Sequence, residues 1–502
     1  MKTPTFTFID LFSGIGGFRL ALDNLGGKCL NFSEIHTDAI NTYCTNFAED
    51  SSLNLGDITN IKTLPTHDIL TAGVPCQSWS IAGKNLGFDD DRGQLWNDTL
   101  FLLNQSRPQA FIFENVKGLA DPRNQGALSY ILARIRQAGY FAKHFVLNAS
   151  DYGVPQDRVR VYIVGFLHEA HLRKFSLPAP RKGSLKLADV LQGDIRKPTP
   201  PTAAAITDLF GNPLADQRRY RKLNGMNDFF LFNDIRNGST TIHSWDLFPT
   251  TERQKQICLL MLRNRRKRTY GKLDGNPLSL VHLQGLDSSI DPSELEALGA
   301  MGILKTVEYA YTVKPHGHLA LTHGEQLVLR HIEAGEITLD SLKECRELKK
   351  AKIALDKTIP TLVAKGVLVC SEIRYEFRYT KISTGIDGIN RIFLPRSEAF
   401  PTLVASDTND FVALQDIEAD TEAGYKQAFL QDIFQTKRFR KISREEACLI
   451  QGFPKDFQLP ESRPRWMKLV GNSVSVPVVQ MLGQAIINTG CLKATPRCQE
   501  AA

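Results

Sequence analysis

The first 170 residues alternate between short apolar runs and stretches with helical spacing. "FTFIDLF" (6–12) is almost continuously apolar, the pattern of a strand buried on both faces. "GFRLALDNL" (17–25) repeats its apolar residues every three or four positions and predicts a helix. "KCLNFSEI" (28–35) predicts a second strand and "DAINTYCTNF" (38–47) a second helix. "DILTAG" (68–73), "AFIFENV" (110–116), "FAKHFVLN" (141–148) and "VRVYIVGF" (159–166) continue the series, with helical stretches between several of them. "GDIT" (56–59) places Asp57 at the end of a further strand. Strand-helix alternation at this spacing predicts an α/β fold with a mostly parallel, doubly wound sheet. Ligands of such sheets bind beyond the carboxyl ends of the strands.

Near residue 170 the pattern changes. "LPAPRKGS" and "IRKPTPPTAAA" are proline-rich and read as linkers or surface loops. The expected division is a first domain over 1–171, a large α+β domain over 172–395, a return to the first domain over 396–490, and a tail over 491–502. Inside the second domain, "LGAMGILKTVEYAY" from Leu298 and "LVAKGVLVCSEIRYEF" from Leu362 share a helix end, a glycine, an apolar pair and an aromatic-ended strand. Helical stretches precede both, at 251–268 and 324–337. That is the cadence of a winged helix, a module that often binds DNA; two unrelated helix-to-strand turns would read the same way.

Composition narrows the class. The 502 residues exceed one ordinary core and imply two or three domains. The net charge of +7 permits a polyanionic partner without requiring one. Nine scattered cysteines without a C-x-x-C pair imply a reduced, cytoplasmic protein with no disulfide framework. No leader precedes the first strand, and no apolar run is expected to span a bilayer. His316, His318, His323 and His331 match no common zinc spacing, so no metal is expected.

The candidate chemistry clusters at predicted strand ends. "DLFSGIGGFRLAL" (10–22) runs from strand to helix through Gly14, Gly16 and Gly17, which let backbone approach a ligand at a helix N-terminus. Glu34 ends the next strand, about twenty residues on, where a ribose-binding acid is expected. This pattern suits a nicotinamide dinucleotide and S-adenosylmethionine equally. Cys76 follows Pro75 in "TAGVPCQSWSIAGK", a loop of small and polar residues rather than a core. Glu114 ends an apolar strand, where burial favours its protonated form. Arg158 and Arg160, two apart in "YGVPQDRVRVYIVG", are expected on one face.

Taken in order, the glycine loop, Pro-Cys-Gln, Glu-Asn-Val, Gln-x-Arg-x-Arg, "REEACLIQGFP" (444–454) and "GNSVSVPVV" (471–479) resemble the DNA cytosine C5-methyltransferase family. The resemblance covers about 6–166 and 440–485. It implies a Rossmann-like S-adenosylmethionine-dependent domain, with a target recognition domain in the region between. It implies that Cys76 is the nucleophile, that Glu114 holds or protonates cytosine N3, and that Arg158 and Arg160 hold the base edge and phosphate. S-adenosyl-L-methionine would be bound by Phe12, Gly14, Gly16, Gly17, Glu34, Asp57, Asn472 and Ser473, with Ile35, Ile58, Pro75 and Leu95 beside them. Ile35 departs from the family, which often has an aromatic there.

Residues 77–96 would form a loop closing over substrate, with Gln77, Ser78, Ser80 and Arg92 on DNA. Phosphate contacts are expected from Arg263, Arg265, Arg266, Lys267 and Arg268 in the densest basic run. The implied partner is double-stranded DNA, with functional pairing to a restriction endonuclease, no stable protein partner, no membrane, and a monomeric state. A transfer RNA methyltransferase, a DNA-binding regulator without catalysis and a nicotinamide oxidoreductase are the competing readings.

Overall fold

The computed structural model describes residues 5–75, 91–180, 185–193, 195, 229–231, 243–273, 275–378, 389, 391–419 and 421–492. These fall into two compact units, one of residues 1–229, 393–418 and 432–502, the other of 230–392 and 419–431.

The first unit is built on β1 (Phe6–Leu11), β2 (Gly27–Ser33), β3 (Ile69–Gly73), β4 (Ala110–Val116), β5 (Phe141–Asn148), the short β6 (Gln156–Asp157) and β7 (Val159–Phe166). Six of these make one sheet in the order β2-β1-β3-β4-β7-β5. The two-residue repeat of a strand sends alternate side chains to opposite faces. Accordingly Phe6 and Phe8 join one apolar cluster while Ile9 and Leu11 join another. Pairing is parallel from β2 through β4, but β7 is antiparallel to both its neighbours. Helices α1 (Gly17–Asp23), α2 (Thr37–Phe47), α3 (Asp91–Ser106) and α4 (Gln125–Gln137) connect or cover the strands, and α5 (Glu169–Lys174) and α6 (Leu187–Val190) follow. The doubly wound expectation therefore holds, with one reversed strand.

Three local expectations change. Residues 56–59 form no strand; Asp57 instead caps a short 3-10 turn, Ile58–Asn60. The segment 77–96 is not all loop, because α3 begins at Asp91, and Trp96 is fully buried against Phe113. The expectation of no membrane-length apolar run also fails by composition: Arg463–Asn488 is long and apolar enough to cross one. It is divided into helices Arg463–Asn472 and Val476–Asn488, and 67% of its apolar window is buried in the core.

That C-terminal pair completes the first unit. Val476, Val478, Val479, Leu482 and Ile486 share a cluster with Phe6, Phe18 and Leu22 from the other end of the chain. The approach is close enough to require glycine. A Cβ on Gly17 would lie 2.7 Å from Val474 Cγ2, and one on Gly483 2.8 Å from Leu25 Cδ1.

After a short strand, β8 (Phe229–Leu231), the second unit contains a duplication. The first copy comprises α7 (Glu252–Asn264), α8 (Leu280–Leu286), α9 (Pro292–Ala300) and β9 (Leu304–Val313). The second comprises α10 (His323–Leu329), β10 (Glu336–Thr338), α11 (Leu339–Glu344), α12 (Arg346–Lys350), α13 (Leu355–Ala364) and β11 (Leu368–Phe377). Each copy opens on a capping box, Thr251 with Gln254 and Thr322 with Glu325. The last helix of each copy is followed by a glycine of positive φ, Gly302 at 77° and Gly366 at 70°. The same bond follows in both, Ile303 N–H to Leu298 O and Val367 N–H to Leu362 O, each at 3.0 Å. Leu278 pairs with Tyr375 as Ile337 pairs with Tyr311.

Because β9 and β11 are paired antiparallel along their length, each copy completes its small sheet with the other's strand. Two separate cores result: Leu283, Leu295, Leu298 and Ile303 in one, and Leu342, Ile359, Leu362 and Val367 in the other. Helices packed on a small antiparallel sheet in this order follow the winged-helix cadence, twice over, with the third strand of each taken from the other copy. Unrelated helix-to-strand turns would not reproduce the caps, the glycines and the cross-strand pairs together.

Gly17→Ala should destabilise the protein by about 1–3 kcal/mol through forced displacement of Val474. Urea unfolding checks this, and an unchanged midpoint would contradict the tight closure of the two chain ends.

Candidate active site

The glycine loop begins where β1 ends. Phe12, partly buried against the apolar cluster on one face of the sheet, has a φ of 53°, a costly conformation for a residue with a side chain. The three glycines then serve different ends. A Cβ on Gly16 would strike the Phe47 ring, and one on Gly17 would strike Val474, so both are needed for packing. Gly14, at φ 56°, has nothing within 4 Å of the Cβ position. Of the three, it is the one that borders open space.

Glu34 stands against this loop. One carboxylate oxygen accepts from Gly14 N–H at 2.9 Å, and the other from Ile35 and His36 N–H at 2.8 Å each. The carboxylate is thus oriented by backbone and lies beside Gly14. Ile35 is 71% exposed, an apolar surface with no cover from described residues. Asp57 is also exposed and uses one oxygen to cap Thr59, with Ile58 buried beneath. Pro75 and Leu95 are partly buried.

Beneath the loop lies Asp10, a residue within the glycine-loop motif to which sequence reasoning assigned no role. It is wholly buried in β1 and accepts from Thr71 Oγ1 at 2.9 Å. Burial pushes its carboxyl up to about 7, against the opposing effects of Thr71 and Arg19. Its other oxygen has no hydrogen-bond partner among the described residues. The signal was available: an acid inside an otherwise apolar strand.

At the end of β4, Glu114 lies opposite Gly73 of β3 and Tyr162 of β7. Its Oε1 is 3.1 Å from Arg160 Nε, and both side chains are nearly buried. Burial raises the Glu114 pKa, and the Arg160 and Arg158 guanidiniums oppose that rise without cancelling it. The reversal of β7 explains the encounter. Arg160 lies at the start of its strand, and only an antiparallel strand brings its start beside the carboxyl end of β4.

Arg158 does not join Arg160 on one face. It precedes β7, is buried, and donates to three backbone carbonyls: Leu403 O at 3.0 Å, Gly471 O at 3.1 Å and Ser473 O at 2.6 Å. The expectation that it holds base or phosphate gives way to a bracing role, because its guanidinium is occupied by the C-terminal segments. Ser473 is likewise turned inward, its hydroxyl donating to Val470 O at 2.7 Å, whereas Asn472 is exposed. Asn115 was missed by sequence reasoning. It is buried and donates to Val74 O at 3.1 Å, which ties the end of β4 to the backbone leading into Pro75.

Cys76, Gln77, Ser78 and Ser80 lie outside the described residues. Arg92 falls within α3. In the basic run, Arg265 is turned partly inward, 3.9 Å from Glu376 and over the Phe377 ring, which does not suit the phosphate contact expected of it. Arg263, Arg266, Lys267 and Arg268 are exposed. Among the described residues no group of acids, cysteines and histidines could hold a metal ion.

A doubly wound sheet with a glycine loop beside an oriented acid, and with a nearly buried acid-arginine pair at the next strand ends, suits an enzyme that carries a nucleotide-type cofactor. The chain belongs to the C-5 cytosine-specific DNA methylase family, which it matches over residues 6–488. It is 39% identical over 486 residues to Type II methyltransferase M.HgiBI of Herpetosiphon aurantiacus, covering 96% of each chain. M.HgiCII from the same organism is 39% identical over 489 residues, covering 96% of this chain and 97% of its own. M.NlaIV of Neisseria lactamica is 28% identical over 514 residues, covering 96% and 99% respectively.

The two arginines should separate on substitution. Arg158→Met strands buried carbonyls and should cost about 2–3 kcal/mol or more in urea unfolding. Arg160→Met should cost less stability, since Glu114 can take up a proton when its partner is lost, yet should lose most DNA methylation. Equal stability losses would contradict the division of roles.

Proposed function

We propose that this enzyme is the modification methyltransferase of a Type II restriction system, acting in the cytoplasm, as a monomer, on one cytosine within a specific duplex sequence. The methyl donor would be S-adenosyl-L-methionine, and the residues present fit it. Gly14 leaves room for a ligand at the backbone, Glu34 is oriented beside that room, and Ile35 offers an uncovered apolar face. Glu34 would take the ribose hydroxyls and Asp57 the adenine edge. Phe12, Ile35, Ile58, Pro75 and Leu95 would supply apolar walls, and Asn472 would close the pocket from the far end of the chain. When bound, the donor supplies an electrophilic methyl group.

The observation that carries the reading is the nearly buried Glu114–Arg160 pair beside the strand end that leads into Pro75 and Cys76. Cytosine C5 is too weak a nucleophile to take a methyl group unaided. The Cys76 thiolate adds to C6 of the flipped base, which moves electron density to C5. Glu114, kept protonatable by burial, gives N3 a proton or a hydrogen bond and stabilises that adduct. Arg160 fixes the Glu114 carboxyl and faces the carbonyl edge of the base. Once C5 carries the methyl group, a base removes the C5 proton, the C6–S bond breaks, and the thiolate is restored. Gln77, Ser78, Ser80 and Arg92 would contact DNA next to the flipped base, and Arg263, Arg266, Lys267 and Arg268 would contact phosphates.

Duplex DNA with 5-fluorocytosine at the target position should trap the enzyme covalently, because fluorine cannot leave as a proton does. The complex should survive denaturing electrophoresis for the natural protein and be absent for Cys76→Ser. Failure of the natural protein to form it, with no methyl transfer to any duplex, would sink the proposal. Bisulfite sequencing of DNA from cells making the protein then identifies the target.

The pH dependence follows from Glu114. Its proton is present below its raised pKa, so single-turnover methylation should fall as pH rises through that value. Glu114→Gln should lose that limb and run about 10²–10⁴-fold slower. Persistence of the same limb in the variant would assign it to another group.

A further inference from the structure

The two copies share one architecture, but the stretches that join their second and third helices carry opposite charge. In the first copy, residues 284–297, which span the end of α8 and most of α9, contain Asp287, Asp291, Glu294 and Glu296 and no lysine or arginine. In the second, the equivalent stretch from the end of α11 to the start of α13 carries Lys343, Arg346, Lys349, Lys350, Lys352 and Lys357 against Glu344, Glu347 and Asp356. All six cations are exposed, and none forms an ion pair with a described residue. The acids of the first copy are used differently. Arg253 of α7 bonds Asp287 at 2.7 Å and Glu294 at 3.0 Å, which locks its helix pair to its own first helix.

We propose that the second copy alone docks its helix pair on duplex DNA, with α13 in the major groove and the lysines of α11 and α12 and the turn after them on flanking phosphates. This rests on the chain acting on DNA. A phosphate backbone attracts a net-positive helix pair and repels a net-negative one, so identical folds are sorted by charge. The exposed face of α13 suits close approach. It presents Lys357, Pro360, Thr361 and Ala364, mostly small side chains that admit a groove wall. The Thr358 and Thr361 hydroxyls bond back to Ala354 O and Lys357 O, so they stay close to the helix. The first copy's helix pair stays off the DNA, and its strand acts as a mechanical support. Through β9 and β11 it holds the second copy's sheet, and hence α13, in one orientation. The basic run at 263–268 straddles the end of α7 and lies outside both helix-pair stretches in the sequence.

The test uses the full-length protein. Lys349, Lys350 and Lys352 are changed together to alanine, and affinity for a duplex containing the target is measured across a salt series. Binding should weaken at low salt, and the slope of log K against log salt should drop by about 0.9 for each phosphate that is no longer neutralised. The triple arginine variant should retain both. Glu296→Ala in the first copy should leave both unchanged. Substitution of Lys357 and Thr361 should change which sequences are methylated more than how fast the best one is.

A triple alanine variant that melts like the natural protein but binds with unaltered affinity and slope would overturn the proposal. So would loss of DNA binding on reversal of charges in the first copy's helix pair alone, or a weakening confined to RNA or protein ligands. If the natural protein itself fails to methylate DNA, the fault lies with the proposed activity. If it methylates and the triple variant matches it, the fault lies with this assignment.

Discussion

One buried guanidinium holds the catalytic unit together. Arg158 reaches 245 residues along the chain to Leu403, 313 to Gly471 and 315 to Ser473, and gives each carbonyl a hydrogen bond. Closing loops of that length carries an entropic cost that grows slowly with length, so a few buried, charge-assisted bonds with a shared apolar cluster suffice. Gln451 donates to the same Ser473 carbonyl at 2.9 Å, and Gly471 and Gly17 let the backbone segments come within contact distance. The glycine loop, the Glu34 carboxylate and the Glu114–Arg160 pair are arranged on the sheet that this closure completes.

The site works by separating charges that chemistry must bring into play. Glu34 accepts from the backbone N–H groups of Gly14, Ile35 and His36, which fix the direction in which its carboxylate faces. Glu114 is buried, and burial favours its neutral form, with Arg160 limiting how far. Two acids on one sheet thus sit in different surroundings, one held by backbone N–H groups and the other by burial and a guanidinium. Asp10, deeper still, shows the same influence of burial on a group with no evident part in transfer.

The second unit shows how duplication lets two copies of one architecture differ in charge. The exchanged strands make each winged helix incomplete without the other, so neither can drift in orientation, while their surfaces remain free to differ. One copy directs two of its four acids, Asp287 and Glu294, into an internal brace with Arg253; the other leaves its lysines to solvent.

Much of this was legible in the residues. Strand-like runs marked six strands of the main sheet, and the order of short motifs pointed to Glu34, Cys76, Glu114 and Arg160 as candidates, of which Glu114 and Arg160 meet in the fold. The repeat from Leu298 and Leu362 was visible as well, since a packed helix-glycine-strand corner demands the same residue types each time. Other features were not. Spacing alone put Arg158 and Arg160 on one face, but burial and three distant carbonyls claimed Arg158. No local pattern announces that β7 runs backwards, yet that reversal brings Arg160 to Glu114. Nor does periodicity tell which glycine faces a ligand and which faces Phe47 or Val474. The sequence by itself determined the elements, the chemical groups and the family, because these depend on residue type and short-range order. Which groups meet, and which arginine braces while the other pairs with Glu114, was decided by tertiary structure, because strand direction and long-range closure are properties of the whole fold.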